Sequence, residues 1–225
     1  MNSVTINQTT RLAQSYLDAK QCVIDAGFAY EIDWQEDVRF SDLTEERFLH
    51  EYTWVVFSSG FRETVLRKKF SDLALAFGGL VSAAFVAQNR GECRRLALRK
   101  FGHRGKVTAV LDVCAMIDTQ GFEFLRHQLH SGGVDFIDQL PFMGPATSYH
   151  LAKNIGLNVV KPDRHLVRIA AASGFQSPDD LCDCISKAVG DALPVIDIVI
   201  WRYATLHPKE ELPGFIPDLC FVSKA

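Results

Sequence analysis

Between residues 131 and 172 the chain carries a turn, Leu140-Pro141-Phe142-Met143-Gly144-Pro145, and further on an aspartate, Asp163, heading Arg164-His165-Leu166-Val167-Arg168. Pro141 fixes φ, and Gly144 admits a backbone conformation that a β-carbon obstructs. Pro145 favours the first position of a helix. The amides after it therefore lack intrahelical acceptors and are open to a phosphate oxygen. Such contacts hold a nucleic-acid backbone without reading its sequence. Thr147, Lys153 and Lys161 lie close enough in the chain to add to them. Asp163 supplies the reactive group: a fixed carboxylate opposes positive charge on a sugar carbon and orients an attacking water. That is the demand of glycosidic cleavage, where charge develops at the anomeric carbon and ring oxygen. Each feature also has a plainer reading. The turn alone is a sharp link between two helices, and Asp163 alone is a helix N-cap worth about 1 kcal/mol. Capping and catalysis are compatible in one side chain.

The order of turn, helix, extended Val159-Val160-Lys161-Pro162 link and Asp163-x-His165-x-x-Arg168 resembles the helix-hairpin-helix DNA glycosylase superfamily. Its members include endonuclease III, the adenine and 8-oxoguanine glycosylases and the 3-methyladenine glycosylases. Leu140, Pro141, Gly144, Thr147, Asp163, His165 and Arg168 fill the places of that superfamily's pattern. The resemblance implies an all-α protein of two helical lobes with an active-site cleft between them. One lobe would span 40–156 and end in the helix-hairpin-helix; the other would combine 1–39 with 157–225 and carry Asp163. It implies base flipping and hydrolysis of an N-glycosidic bond in double-stranded DNA, leaving an abasic site. Asp163 would be catalytic. Phe142, Met143, Gly144, Ala146, Thr147 and Lys161 would meet the DNA backbone, and the carbonyls of Asp138, Leu140 and Met143 would hold a monovalent cation. A monomer associated with the cytoplasmic nucleoid is expected.

Two departures shape that expectation. Phe142 stands where the usual hairpin has its first glycine, so its side chain must turn away from DNA or wedge against it. Ala146 stands where bifunctional members carry a lysine, and alanine cannot form a Schiff base with the sugar. The expected enzyme is therefore monofunctional. A lyase using a displaced Lys153 or Lys161, or a non-catalytic DNA-binding hairpin protein, remains an alternative. Some members also hold an iron–sulphur cluster on four cysteines. Cys182, Cys184 and Cys220 do not match that spacing, so neither a cluster nor another cofactor is expected.

The base needs apolar or aromatic walls once it leaves the stack. Glu51, Trp54 and Phe61 are the candidates for its pocket, with Tyr52, Phe57, Trp201 and Tyr203 behind them; core packing is the competing role of each aromatic ring. His165 and Arg168 are expected to pack or pair within their own helix.

The elements that must position these residues read as helices throughout. A chain of 225 residues with 48% hydrophobic and 23% charged residues is ordinary for a globular protein. Residues 9–27 show a helical apolar period, whereas 28–43 read as a connector. Thr44 before Glu45 and Glu46 signals a helix start, and the run after it is apolar around much of its circumference. Gly60, Gly78, Gly79 and Gly91 divide the next stretch into helical lengths, with further segments near 105–117, 119–130 and 133–139. Ser177-Pro178-Asp179-Asp180 opens another helix, 192–206 must pack internally, and the tail after it reads as irregular. The formal charge of −3 does not announce a nucleic-acid binder. It is unevenly placed, however: Arg90, Arg94, Arg95, Arg99, Lys100, Arg104 and Lys106 face one Glu92, and acids crowd residues 31–46. The basic run suits a DNA backbone or a solvated face equally well. No apolar run approaches the ~20 residues of a membrane span. The first residues lack the order of an export signal, so reduced thiols in the cytosol are expected.

Overall fold

The structure is a computed structural model that describes residues 3–207. Among the described residues the protein is all-α, with no β-strand. It divides into two compact units: Met1–Val38 with Asn158–Ala225, and Arg39–Leu157.

The first unit contains α1 (Ser3–Val23), α2 (Ala29–Asp37), α10 (Arg164–Ala172), α11 (Pro178–Val189) and α12 (Leu193–Leu206). Helix α12 packs against α1, α2, α10 and α11, which explains its apolar sequence. Val195, Ile196, Val199 and Ile200 are buried there with Tyr16, Leu166, Ile169 and Leu181. Each such side chain stabilises the fold by roughly 1.5–3 kcal/mol.

The expected connector over 28–43 is instead largely helical. Helix α2 follows α1 through a π-type turn at Ile24–Phe28, with Gly27 at φ 86°, and Phe40–Asp42 forms a 3-10 turn. Only Ile32 and Gln35 of α2 are buried. Asp33, Glu36 and Asp37 are exposed and Glu31 is half-buried; Glu31 pairs with Arg202 and Glu36 with Lys20 at 3.3 Å. A crowd of acids therefore hid a sparse apolar face.

The second unit contains α3 (Glu45–Ser58), α4 (Glu63–Ala76), α5 (Ala83–Gln88), α6 (Arg90–Lys100), α7 (Arg104–Gln120), α8 (Phe122–Ile137) and α9 (Pro145–Asn154). Thr44 caps α3, its hydroxyl accepting the Arg47 N–H at 3.2 Å. Phe48, Leu49, Val55, Val56 and Phe57 of α3 are buried, because α3 meets α4, α7 and α9 on different sides. Helix α7 is surrounded by α3, α5, α6 and α8. The two segments expected near 119–130 and 133–139 form one helix, α8, interrupted at Gly133, whose φ of 51° and ψ of −136° leave helical space. Glycine tolerates that conformation without ending the helix axis for good.

Candidate nucleic-acid interface

Leu140–Met143 closes with the Met143 N–H donating to the Leu140 carbonyl at 3.0 Å. Pro141 occupies the second position and Phe142, at φ 64°, the third, which is the arrangement of a type II turn. That third position ordinarily takes glycine; a β-carbon there costs about 1–2 kcal/mol. The expectation for Gly144 is thereby corrected. Its φ of −165° and ψ of 176° are extended values open to any residue, and nothing lies within 4 Å of where its β-carbon would be. The strained position is Phe142.

Several contacts hold the turn in place. The Tyr52 hydroxyl donates to the Pro141 carbonyl. The Phe142 ring, 40% exposed, meets His103 edge-on at 5.6 Å and lies 5.5 Å from the Lys106 amine. The Thr147 hydroxyl accepts the Gly144 N–H at 2.8 Å and donates to the Gly144 carbonyl at 3.0 Å. Thr147 and Ser148 N–H groups both donate to that same carbonyl at 2.9 Å.

These bonds narrow the set of groups open to a phosphate. Met143, Gly144 and Thr147 use their amides within the turn, and the only proton of the Thr147 hydroxyl is engaged there. Among the described residues the Phe142 and Ala146 N–H groups have no protein acceptor. The expected row of free amides is thus a pair. Of the carbonyls considered for a cation, Leu140 accepts one hydrogen bond, whereas Asp138 and Met143 accept none from the described residues.

Asp163 belongs to the first unit and caps α10. Its Oδ1 accepts the His165 N–H at 2.8 Å and the Leu166 N–H at 3.0 Å. Oδ2 has no partner among the described residues, and the residue is half-buried. The carboxylate is thus held by one oxygen with the other left available. The chain entering it is fixed as well: the Asp163 N–H donates to the Lys161 carbonyl at 2.7 Å, and the Lys161 N–H donates to Asp197 Oδ2 at 2.6 Å. Asp197 is 2% exposed on α12. It is the residue that sequence reading missed, although an acid inside the apolar run Val195-Ile196-Asp197-Ile198-Val199 had to be holding some donor. His165 has its Nδ1 buried with no hydrogen-bond partner, and Arg168 is exposed.

The aromatic candidates separate. Tyr52 and Phe57 are fully buried, Tyr203 is buried and Trp201 half-buried beside Arg202, so all four serve packing. Trp54 stacks edge-on with Phe70 at 5.2 Å under the Arg67 guanidinium, while Phe61 meets Phe101 at 4.9 Å. No ring contact joins Trp54 to Phe61. Phe61 instead shares the Lys106 amine with Phe142, at 4.6 Å from its ring. Glu51 accepts the Asn154 side-chain N–H at 2.8 Å, linking α3 to α9, and burial pushes its carboxyl above the usual range. Lys153 is buried and Lys161 half-buried.

Part of the basic run is neutralised. Arg90 pairs with Asp112 at 2.6 Å, Lys100 with Asp72 at 2.8 Å, and Arg95 with Glu92. Lys106 is buried, which leaves exposed Arg94, Arg99 and Arg104 without a carboxylate in ion-pair contact among the described residues. The second unit as a whole has fifteen Lys and Arg against twelve Asp and Glu, a net +3; the first has nine against fifteen, a net −6.

No family model, curated protein or solved structure matches the chain. Among the described residues no helix is long and apolar enough to cross a membrane. Cys182 is buried and Cys184 half-buried; Cys220 and the tail after residue 207 lie outside the described residues.

Proposed function

We propose that the protein is a monofunctional DNA N-glycosylase that removes a damaged or modified base from double-stranded DNA and leaves an abasic site. The observation that carries this reading is the state of Asp163: one oxygen is locked by two helix amides, and the other is free on a segment tied to Asp197. An N-cap needs only the first of these. The turn and its pair of open amides, at Phe142 and Ala146, supply the phosphate grip that such chemistry requires.

In the proposed reaction the target nucleotide leaves the stack. The bond from the anomeric carbon to the base nitrogen breaks, and the base departs with the electron pair and takes up a proton. The Asp163 carboxylate opposes the charge left on the sugar and accepts the proton of the water that adds to it. The carbonyls of Leu140, Met143 and Asp138 would hold a monovalent cation, which would add positive charge for a phosphate. Action as a monomer, in the cytoplasm on nucleoid DNA, goes with this reading.

The test is incubation of the full chain with duplexes carrying alkylated, oxidised, deaminated or hypermodified bases. Alkali-labile sites should form, with the free base detected by mass spectrometry. Asp163→Asn should suppress them by about 10²–10⁴-fold. Undiminished release by that variant removes Asp163 from the chemistry. Tight binding without any release favours a non-catalytic DNA-binding protein.

A further inference from the structure

Lys106, on the first turn of α7, is 1% exposed and has no carboxylate partner. Its amine donates to the carbonyls of Phe57, at 3.1 Å, and Ser59, where α3 ends and its dipole is negative. The faces of Phe61 and Phe142 lie 4.6 and 5.5 Å away. A lysine is rarely buried unless paired, and α3 could have ended on water at no such cost. Besides those two carbonyls and the nearer Phe61 ring, the amine meets Phe142, the residue in the strained position of the turn.

We propose that Lys106 is a positioning residue of the DNA-backbone turn, its buried positive charge holding the Phe142 ring and raising the attraction of the Phe142 and Ala146 amides for a phosphate. This deepens the DNA-binding reading above and rests on it. A charge screened by protein rather than water acts at longer range on an anion, and a cation over a ring face is attracted by the ring's quadrupole.

The charge is conditional. Burial pushes the Lys106 amine down to about 8, and burial is the sole cause. Its hydrogen-bond partners among the described residues are the Phe57 and Ser59 carbonyls, with no carboxylate in ion-pair contact. The titratable group that meets the same ring is His103, whose Nδ1 accepts the Lys106 N–H at 3.3 Å. Above pH 8 the amine loses its proton, and with it both the ring contact and the field at the turn.

The experiment is fluorescence anisotropy of the full chain with a duplex bearing a tetrahydrofuran abasic analogue, from pH 6.5 to 9.5 at constant ionic strength. Wild type should weaken roughly tenfold across this range, because the exposed lysines and arginines keep their charge there. Lys106→Arg should stay flat, and Lys106→Met should be weak and equally flat. His103→Asn, which keeps a good N-cap, should retain the wild-type profile. A flat wild-type profile, or one that survives in Lys106→Arg, overturns the proposal. So does a profile lost in His103→Asn. Should Lys106→Met fail to fold, the other three proteins decide. Absence of any duplex binding by wild type at every pH overturns this proposal and the DNA reading together, whereas binding that ignores pH overturns this proposal alone.

Discussion

Asn and Asp are about equal as N-caps, so Asp163→Asn separates the two roles that this residue can play. Thermal stability should change by less than about 1 kcal/mol while base release collapses; Asp163→Ala should lose both. Phe142 gives a second single-residue test. Phe142→Gly should relieve about 1 kcal/mol of backbone strain at φ 64°, offset in part by the greater freedom of glycine in the unfolded chain. Urea melts read the balance, and duplex affinity reads the loss of the ring. Glu51 has its carboxyl raised by burial, so between its ordinary value and the raised one the folded chain binds a proton that the unfolded chain has released. Stability should therefore fall as pH rises through and above the ordinary carboxylate range. Glu51→Gln, which still accepts the Asn154 N–H, should flatten that fall in denaturant melts between pH 4 and 7.

At the level of elements, the caps were readable because they are local. Thr44, Asp163 and Ser177 each sit directly before the amides that they accept. The all-α class was readable for the same reason, from periodicity within single segments. What could not be read depends on partners distant in the chain. Helix α2 owes its existence to α12, and its acids to Arg202 and Lys20, so its own sequence resembles a link. The turn between α8 and α9 falls where Pro141, Gly144 and Pro145 signal it, but its special conformation lies at Phe142, right after Pro141, and not at the glycine. The role of Asp197 was invisible because its partner is a main-chain N–H at residue 161. Asp197→Ala should cost about 1–3 kcal/mol for the deserted amide and reduce base release more than duplex affinity. Asp197→Asn, which can still accept that N–H, should recover most of the stability. Single-turnover excision and anisotropy on the same variants check both statements.

Across the whole molecule, charge is segregated: the second unit is net positive and the first net negative. Duplex affinity should accordingly fall steeply with salt despite the overall charge of −3. Replacing Arg94, Arg99 and Arg104 together by Gln should reduce the slope of log affinity against log salt by up to about 2.7, if each arginine neutralises one phosphate. An unchanged slope would assign these side chains to solvent. The chain also distributes itself in an uncommon way, since the first unit is assembled from both flanks of the second. During translation Arg39–Leu157 emerges as one uninterrupted stretch and can collapse on its own contacts. Tyr16 and its neighbours, though made earlier, must wait for α12, so a ribosome halted before residue 193 would display a bare apolar surface on a nascent chain whose middle is already folded.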